Sequence, residues 1–115
     1  MLLRLDTTSS LPLHEQVAAA IRRAVAEGEC APGDRLPSAR ELSLMWDVNA
    51  NTVLRGLRAL RDEGLLEFRR GRGVTVAAGA DQRAELLDRV RRLTEDAARL
   101  GYSRSELIDM IRGLS

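Results

Sequence analysis

Apolar residues recur with two different periods along this chain, and the switch between them divides it into elements. Leu13, Val17, Ile21 and Val25 lie four apart, with Ala20 and Ala24 widening the stripe, which predicts an amphipathic helix running to about Glu27. Pro12 suits its first turn, whose N–H groups have no intrahelical partner. Gly28 ends it, and Pro32, Gly33 and Pro37 punctuate the connection that follows. Ser38 and Glu41 then form a capping box that opens a short second helix, with Leu42, Met45 and Trp46 predicted as its buried face and Asp47 as its end. Asn49 is a preferred N-cap for a third helix, in which Val53, Leu57 and Leu60 face inward until about Glu63, where Gly64 offers a C-terminal cap. Gly56, costly inside a helix, implies close packing against a neighbour.

Beyond Gly64 the period drops to two. Leu66 and Phe68, then Val74 and Val76, alternate as half-buried strand residues around a tip from Arg69 to Gly73. Ala77 to Ala80 reads as a small-residue hinge. After it the helical period returns, with Leu86, Val90, Leu93, Ala97 and Leu100 forming the seam of a helix that packs on another helix. Gly101 ends that helix. A second capping box, Ser103 and Glu106, opens a last one with Leu107, Ile108, Ile111 and Leu114 on its apolar side. At the other end of the chain, Leu2, Leu3 and Leu5 form an apolar lead-in compatible with an edge strand, and Thr7 to Ser10 a polar turn.

This order predicts a mainly α fold with a small β-ribbon: a winged helix-turn-helix domain over residues 1–79, then a two-helix arm over residues 80–115. In a helix-turn-helix the second helix presents its N-terminal residues to base edges in the major groove, and the ribbon with its arginine-rich tip is a wing. A hairpin as short as the arm is below the size that usually folds alone, so a second copy of the chain is its expected partner. Packing of both helices back onto the winged domain is the competing arrangement.

Composition and charge narrow this picture. The 115 residues are 44% hydrophobic, 30% charged and 3% aromatic, which fits one globular core and argues against a stacking platform for single strands. Net charge is +1, yet all eighteen basic residues are arginines, and Arg69, Arg70 and Arg72 cluster with no acid between Phe68 and Val76. Arginine makes bidentate contacts to phosphate and to guanine edges; a solvated charged turn is the bland account of the same cluster. One cysteine, Cys30, excludes an internal disulfide and reads as a packing residue, and His14 has no second His or Cys at ligand spacing. Neither a signal peptide nor a membrane-spanning run is recognisable, so a reducing cytoplasm is the expected setting. With no nucleophile triad, metal cluster or phosphate-cradling glycine motif, neither catalysis nor a cofactor is expected.

The runs PGDRLPSARELS, VNANTV and LRALRDEGLLEFRRGRGVTV together resemble the DNA-binding domain of the GntR family of bacterial transcriptional regulators, and LPLHEQVAAAI resembles its first helix. The likeness covers roughly residues 11 to 76. The short two-helix tail is similar to that of the YtrA-type subfamily. The resemblance implies DNA contacts by Arg40, by Asn49, Asn51 and Thr52, by Arg55, and by Arg69, Arg70, Gly71, Arg72 and Gly73 of the wing, with Ser38 near the backbone. Ala50 and Leu54 depart from the pattern, standing where many relatives have arginine, and Asp47 replaces a common turn glycine in a left-handed position that Asp tolerates.

The expected activity is therefore sequence-specific binding of double-stranded DNA as a homodimer on an inverted-repeat operator, with repression of a promoter. A winged-helix protein-interaction module without DNA binding is the alternative. Leu86, Val90, Leu93, Ala97, Leu100, Leu107, Ile108, Ile111 and Leu114 are the expected dimerisation residues. A small-molecule effector of unknown identity is compatible with the chain, its site expected at the dimer interface or between arm and winged domain.

Overall fold

The computed structural model describes residue 5 and residues 10–114. The lead-in strand expected from Leu2, Leu3 and Leu5 and the turn from Thr7 to Ser10 fall largely outside the described residues; Leu5 and Ser10 themselves belong to no regular element. The elements are α1 (Leu13–Ala26), α2 (Ala39–Trp46), α3 (Ala50–Asp62), β1 (Leu66–Arg69), β2 (Gly73–Val76), α4 (Ala80–Arg99) and α5 (Arg104–Arg112). By their contacts, two compact units divide between Ala84 and Glu85, inside α4.

In the first unit α3 is the central element, packing on α1, α2 and β1. Val17, Ile21 and Val25 of α1 meet Val53, Leu57 and Leu60 of α3 in a core that is closed to solvent and also holds Leu42 and Leu65. Gly56 sits at the α1 crossing. A Cβ there would lie 2.7 Å from Val17 Cγ1 and 3.0 Å from the His14 carbonyl oxygen, so the bare backbone is what lets the two helices approach. Two expected core positions are instead exposed, Leu13 at 47% and Met45 at 54%. Leu13 opens α1 on its first turn, outside the packed stretch. Met45 fails for a geometric reason: at about 100° per residue, Ala39, Leu42, Ser43 and Trp46 share one side of α2, and Met45 falls off its edge.

Helix ends follow their caps. Ser38 Oγ accepts from the Glu41 N–H at 3.0 Å while the Glu41 carboxylate accepts from the Ser38 N–H, and Ser103 and Glu106 repeat this arrangement before α5. Asp47 terminates α2 at φ 54, the left-handed conformation its place in the turn demands. Replacing Ser38 by Ala should cost about 1 kcal/mol, because the Glu41 N–H loses its acceptor; chemical denaturation would read the loss.

The ribbon is antiparallel, pairing Leu66 with Val76 and Arg69 with Gly73. A third edge joins it: Leu36 donates to the Val74 carbonyl at 2.9 Å and Val76 to the Asp34 carbonyl at 2.9 Å, around a bridge between Arg35 and Thr75. The segment expected to be a small-residue hinge is anchored. Ala77 donates to the Leu65 carbonyl, and Ala80 and Ala84 are fully buried, since methyl side chains let the first turn of α4 lie close against its surroundings. Arg83 adds a hydrogen bond from Nε to the Glu63 carbonyl at the end of α3. Glu63 itself is held by Arg22 of α1 through contacts of 3.0 and 2.6 Å.

Cys30 is buried, and burial pushes its thiol pKa up, with Asp34 and Glu29 adding to the shift. Such a thiol is a poor nucleophile, which fits a packing role.

In the second unit, Ala97 and Leu107 are the buried residues among those described. Leu86, Val90, Leu93, Leu100, Ile108, Ile111 and Leu114 are all exposed, Leu86 at 61% and Leu114 at 78%. The heptad seam thus covers very little of itself.

Candidate nucleic-acid interface

The first turn of α3 is set by Asn49, whose Oδ1 accepts from the Asn51 N–H at 2.8 Å. That bond commits one lone pair of the Asn49 oxygen to the cap, while the Asn51 side chain is exposed on the first turn of the helix. The core face of α3 carries Val53, Gly56, Leu57 and Leu60. Opposite it, by the same angular step of about 100°, lie Asn51, Arg55 and Arg58, all exposed. Thr52 stands half-buried on one flank, and Ala50 and Leu54 on the other. Arg58 therefore shares the outward stripe of Asn51 and Arg55. It was legible as the i+7 position of that stripe.

Arg40 is exposed on the first turn of α2. Among the described residues Arg40, Arg55, Arg58, Arg70 and Arg72 make no ion pair, so their charge is uncompensated by direct contact. Arg61 is engaged otherwise: it sits 3.5 Å from Asp62, and its guanidinium lies 4.9 Å from the centre of the Phe68 ring, a cation–π contact tying α3 to the wing.

At the tip, Gly71 (φ 80) and Gly73 (φ 73) carry the left-handed backbone that lets a short loop close, with Arg72 donating to the Arg69 carbonyl at 3.0 Å. The three wing arginines are not equivalent. Arg69 is held by Glu67 on its own strand at 2.6 Å, a residue just outside the acid-free stretch. Arg70 borders a cleft on the α3 side of the ribbon, whereas Arg72 borders one on the opposite face beside Glu67, Thr75 and Pro32. Both arginines lie in the turn beyond β1, where Gly71 between them takes a left-handed backbone that breaks the strand alternation and turns their side chains apart.

The α3-side cleft brings Ser38 together with Arg69, Arg70 and Gly73. Arg40, Asn49, Asn51, Thr52 and Arg55 lie outside it, on the opening turns of α2 and α3. It also contains Arg35, which sequence reasoning missed: the Arg35 Nε would lie 3.4 Å from a Cβ on Gly73, so this guanidinium rests against the wing. No local pattern marks Arg35, because it is placed by pairing with Thr75, forty residues away in the register of the third edge.

No described helix is long and apolar enough to cross a membrane. The family model for bacterial regulatory proteins of the gntR family matches residues 13–76. The HTH-type transcriptional repressor YtrA of Bacillus subtilis (strain 168) is 30% identical over 99% of this chain and 92% of its own length. Among solved structures, YtrA from Sulfolobus acidocaldarius, a GntR-family transcription factor, superposes with a TM-score of 0.63 at 33% identity, covering 82% of this chain and 99% of that one. The AraR DNA-binding domain in complex with operator ORE1 superposes with a TM-score of 0.58 at 27% identity, over 67% of this chain and 94% of that one.

Proposed function

The chain belongs to the gntR family of bacterial regulatory proteins and is a winged-helix transcriptional regulator, and from this premise we propose that it represses a promoter as a cytoplasmic homodimer bound to an inverted-repeat operator. In this reading residues 1–79 bind DNA and residues 80–115 form the dimerisation arm. The protein carries out no chemistry on its ligand. Its work is occupancy.

One observation carries the assignment: Asn51 and Arg55 are exposed without ion pairs on the opening turns of α3, beside a wing whose Arg70 borders the α3 side. Asn51 reads adenine through its amide, Thr52 contacts a base or a thymine methyl, and Arg55 reaches guanine or phosphate. Asn49 acts through its cap, positioning Asn51. Ser38, Arg40, Arg69, Arg70 and Arg72, with the Gly71 and Gly73 backbone, take phosphates and fix the register of the protein on the duplex. Arg35 and Arg58 join this set on the strength of their placement. That the AraR domain was solved with an operator supports duplex DNA as the partner.

One recognition helix spans few base pairs, so specificity requires two half-sites, which a twofold dimer would engage in successive major grooves about 34–36 Å apart. Selection of bound sequences from a random duplex pool, followed by footprinting, should return an inverted repeat with an adenine in each half-site whose preference disappears in Asn51→Ala. A lone, non-palindromic footprint would count against the dimeric reading. For the phosphate contacts, Arg40→Ala and Arg70→Ala should each reduce the slope of log affinity against log salt by about one unit. An unchanged slope removes that residue from the interface.

A further inference from the structure

The cleft between the start of α2, α3 and the wing has a volume of about 360 Å³, toward the small end of the range of about 300–1,000 Å³ usual for small-molecule sites. Its interior is apolar. Leu57 and Leu36 are buried at its floor, and Leu54, Val74 and the ring of Phe68 line it, Phe68 remaining 36% exposed. Its rim is cationic, with Arg35, Arg69 and Arg70, of which Arg69 is paired with Glu67. Phosphate binding explains the rim and leaves the interior unexplained, since a phosphodiester gains nothing from an apolar floor. The chemistry that satisfies both is an apolar body of modest size ending in an anion.

We propose that this cleft is an effector site for a small amphipathic carboxylate, such as a medium-chain acyl or aryl acid, whose carboxylate pairs with Arg35 and Arg70 and whose apolar body covers Leu54 and Phe68. The proposal builds on the DNA-binding reading, because those two guanidinium groups are assigned there to phosphates. Ligand and operator then compete for them, and the carboxylate, which can accept a bidentate pair from one arginine and a further bond from the other, releases the protein from DNA. Such a site lies wholly within the winged unit, in contrast to the positions at the dimer interface or beside the arm expected from the sequence.

The test uses the full chain and three probes: octanoate below its micelle concentration, octanamide with the same body and no charge, and acetate with the charge and no body. Octanoate should raise the melting temperature. At ten times its Kd it should lower apparent operator affinity about tenfold, as simple competition requires, while acetate and octanamide leave both unchanged. Leu54→Gln, outside the assigned DNA contacts, and Phe68→Gln should abolish both octanoate effects. Absence of any thermal shift with octanoate, an equal response to acetate, or a response that survives in both variants would overturn the site. Failure of the unliganded protein to bind any duplex would instead overturn the DNA-binding reading, and the thermal shift with its dependence on Leu54 and Phe68 would still decide whether the cleft is a carboxylate site.

Discussion

Leu93→Glu should turn the protein into a monomer and weaken operator binding by about 10²- to 10⁴-fold, the loss expected when two linked half-site contacts become independent. Leu93 is 48% exposed in the single chain, on the seam that also presents Leu86, Val90 and Leu100. A unit whose buried described residues are Ala97 and Leu107 has too little core to hold two helices by itself. Covering a leucine side chain contributes about 1.5–3 kcal/mol, and a twofold interface counts each one twice. A carboxylate at the same position removes that gain and places an unpaired charge where water is to be excluded, so the sign is not in question. Sedimentation at micromolar concentration checks the oligomeric state, and a mobility shift on the selected operator checks the affinity. Leu93→Met, which preserves the apolar volume, should behave as the parent. A Leu93→Glu protein that stays dimeric and binds normally would exclude this seam as the interface.

The second large effect falls on the core. Gly56→Val should destabilise the winged unit by about 3 kcal/mol or more, the upper end of overpacking costs, and Gly56→Ala by a smaller amount of the same sign. Helix propensity alone predicts the reverse, since Ala is about 1 kcal/mol better than Gly in a helix interior. Packing wins because the added Cβ meets two residues at once. Val17 Cγ1, 2.7 Å away, belongs to a fully buried side chain, and the His14 carbonyl oxygen, 3.0 Å away, belongs to the backbone of α1. Neither can swing aside, so α1 and α3 must separate and the core they share with Leu57 and Leu60 must loosen. Thermal and urea unfolding followed by circular dichroism measures both variants. A Gly56→Ala protein more stable than the parent would show that the helices have slack at this crossing.

The two variants report on different units. Gly56 variants act through folding of the domain that holds the recognition helix, whereas Leu93→Glu leaves that domain's core intact and acts on the proposed dimer interface. Comparing them separates loss of DNA binding through unfolding from loss through monomerisation.

Much of this molecule is written in short-range patterns. Ser38 with Glu41 and Ser103 with Glu106 specify their helix starts, because a capping box closes within four consecutive residues. Asp47 and Gly64 end α2 and α3 through single left-handed or flexible positions, and the change of period after Gly64 marks the ribbon. Gly56 announced a close crossing, and the cluster of wing arginines and the outward Asn51 and Arg55 were equally plain. All of these depend on neighbours within one or two turns, where chain connectivity already fixes who meets whom.

Tertiary structure decided what depends on partners distant along the chain. Arg22 takes Glu63 across forty-one residues, a pair between α1 and the end of α3 that no local pattern announces. Arg35 reaches the wing only because a third edge pairs with β2, and Ala77 and Ala80 become buried anchors where their composition alone suggested a hinge. Met45 follows an apolar spacing yet faces solvent, since the direction from which α3 approaches α2 selects the buried side. Arg70 and Arg72 part to opposite faces of the ribbon because the left-handed Gly71 between them turns the chain. Periodicity states that a helix has an apolar side; only the packing of the other elements states which residues at its margin are covered and which charges are left free.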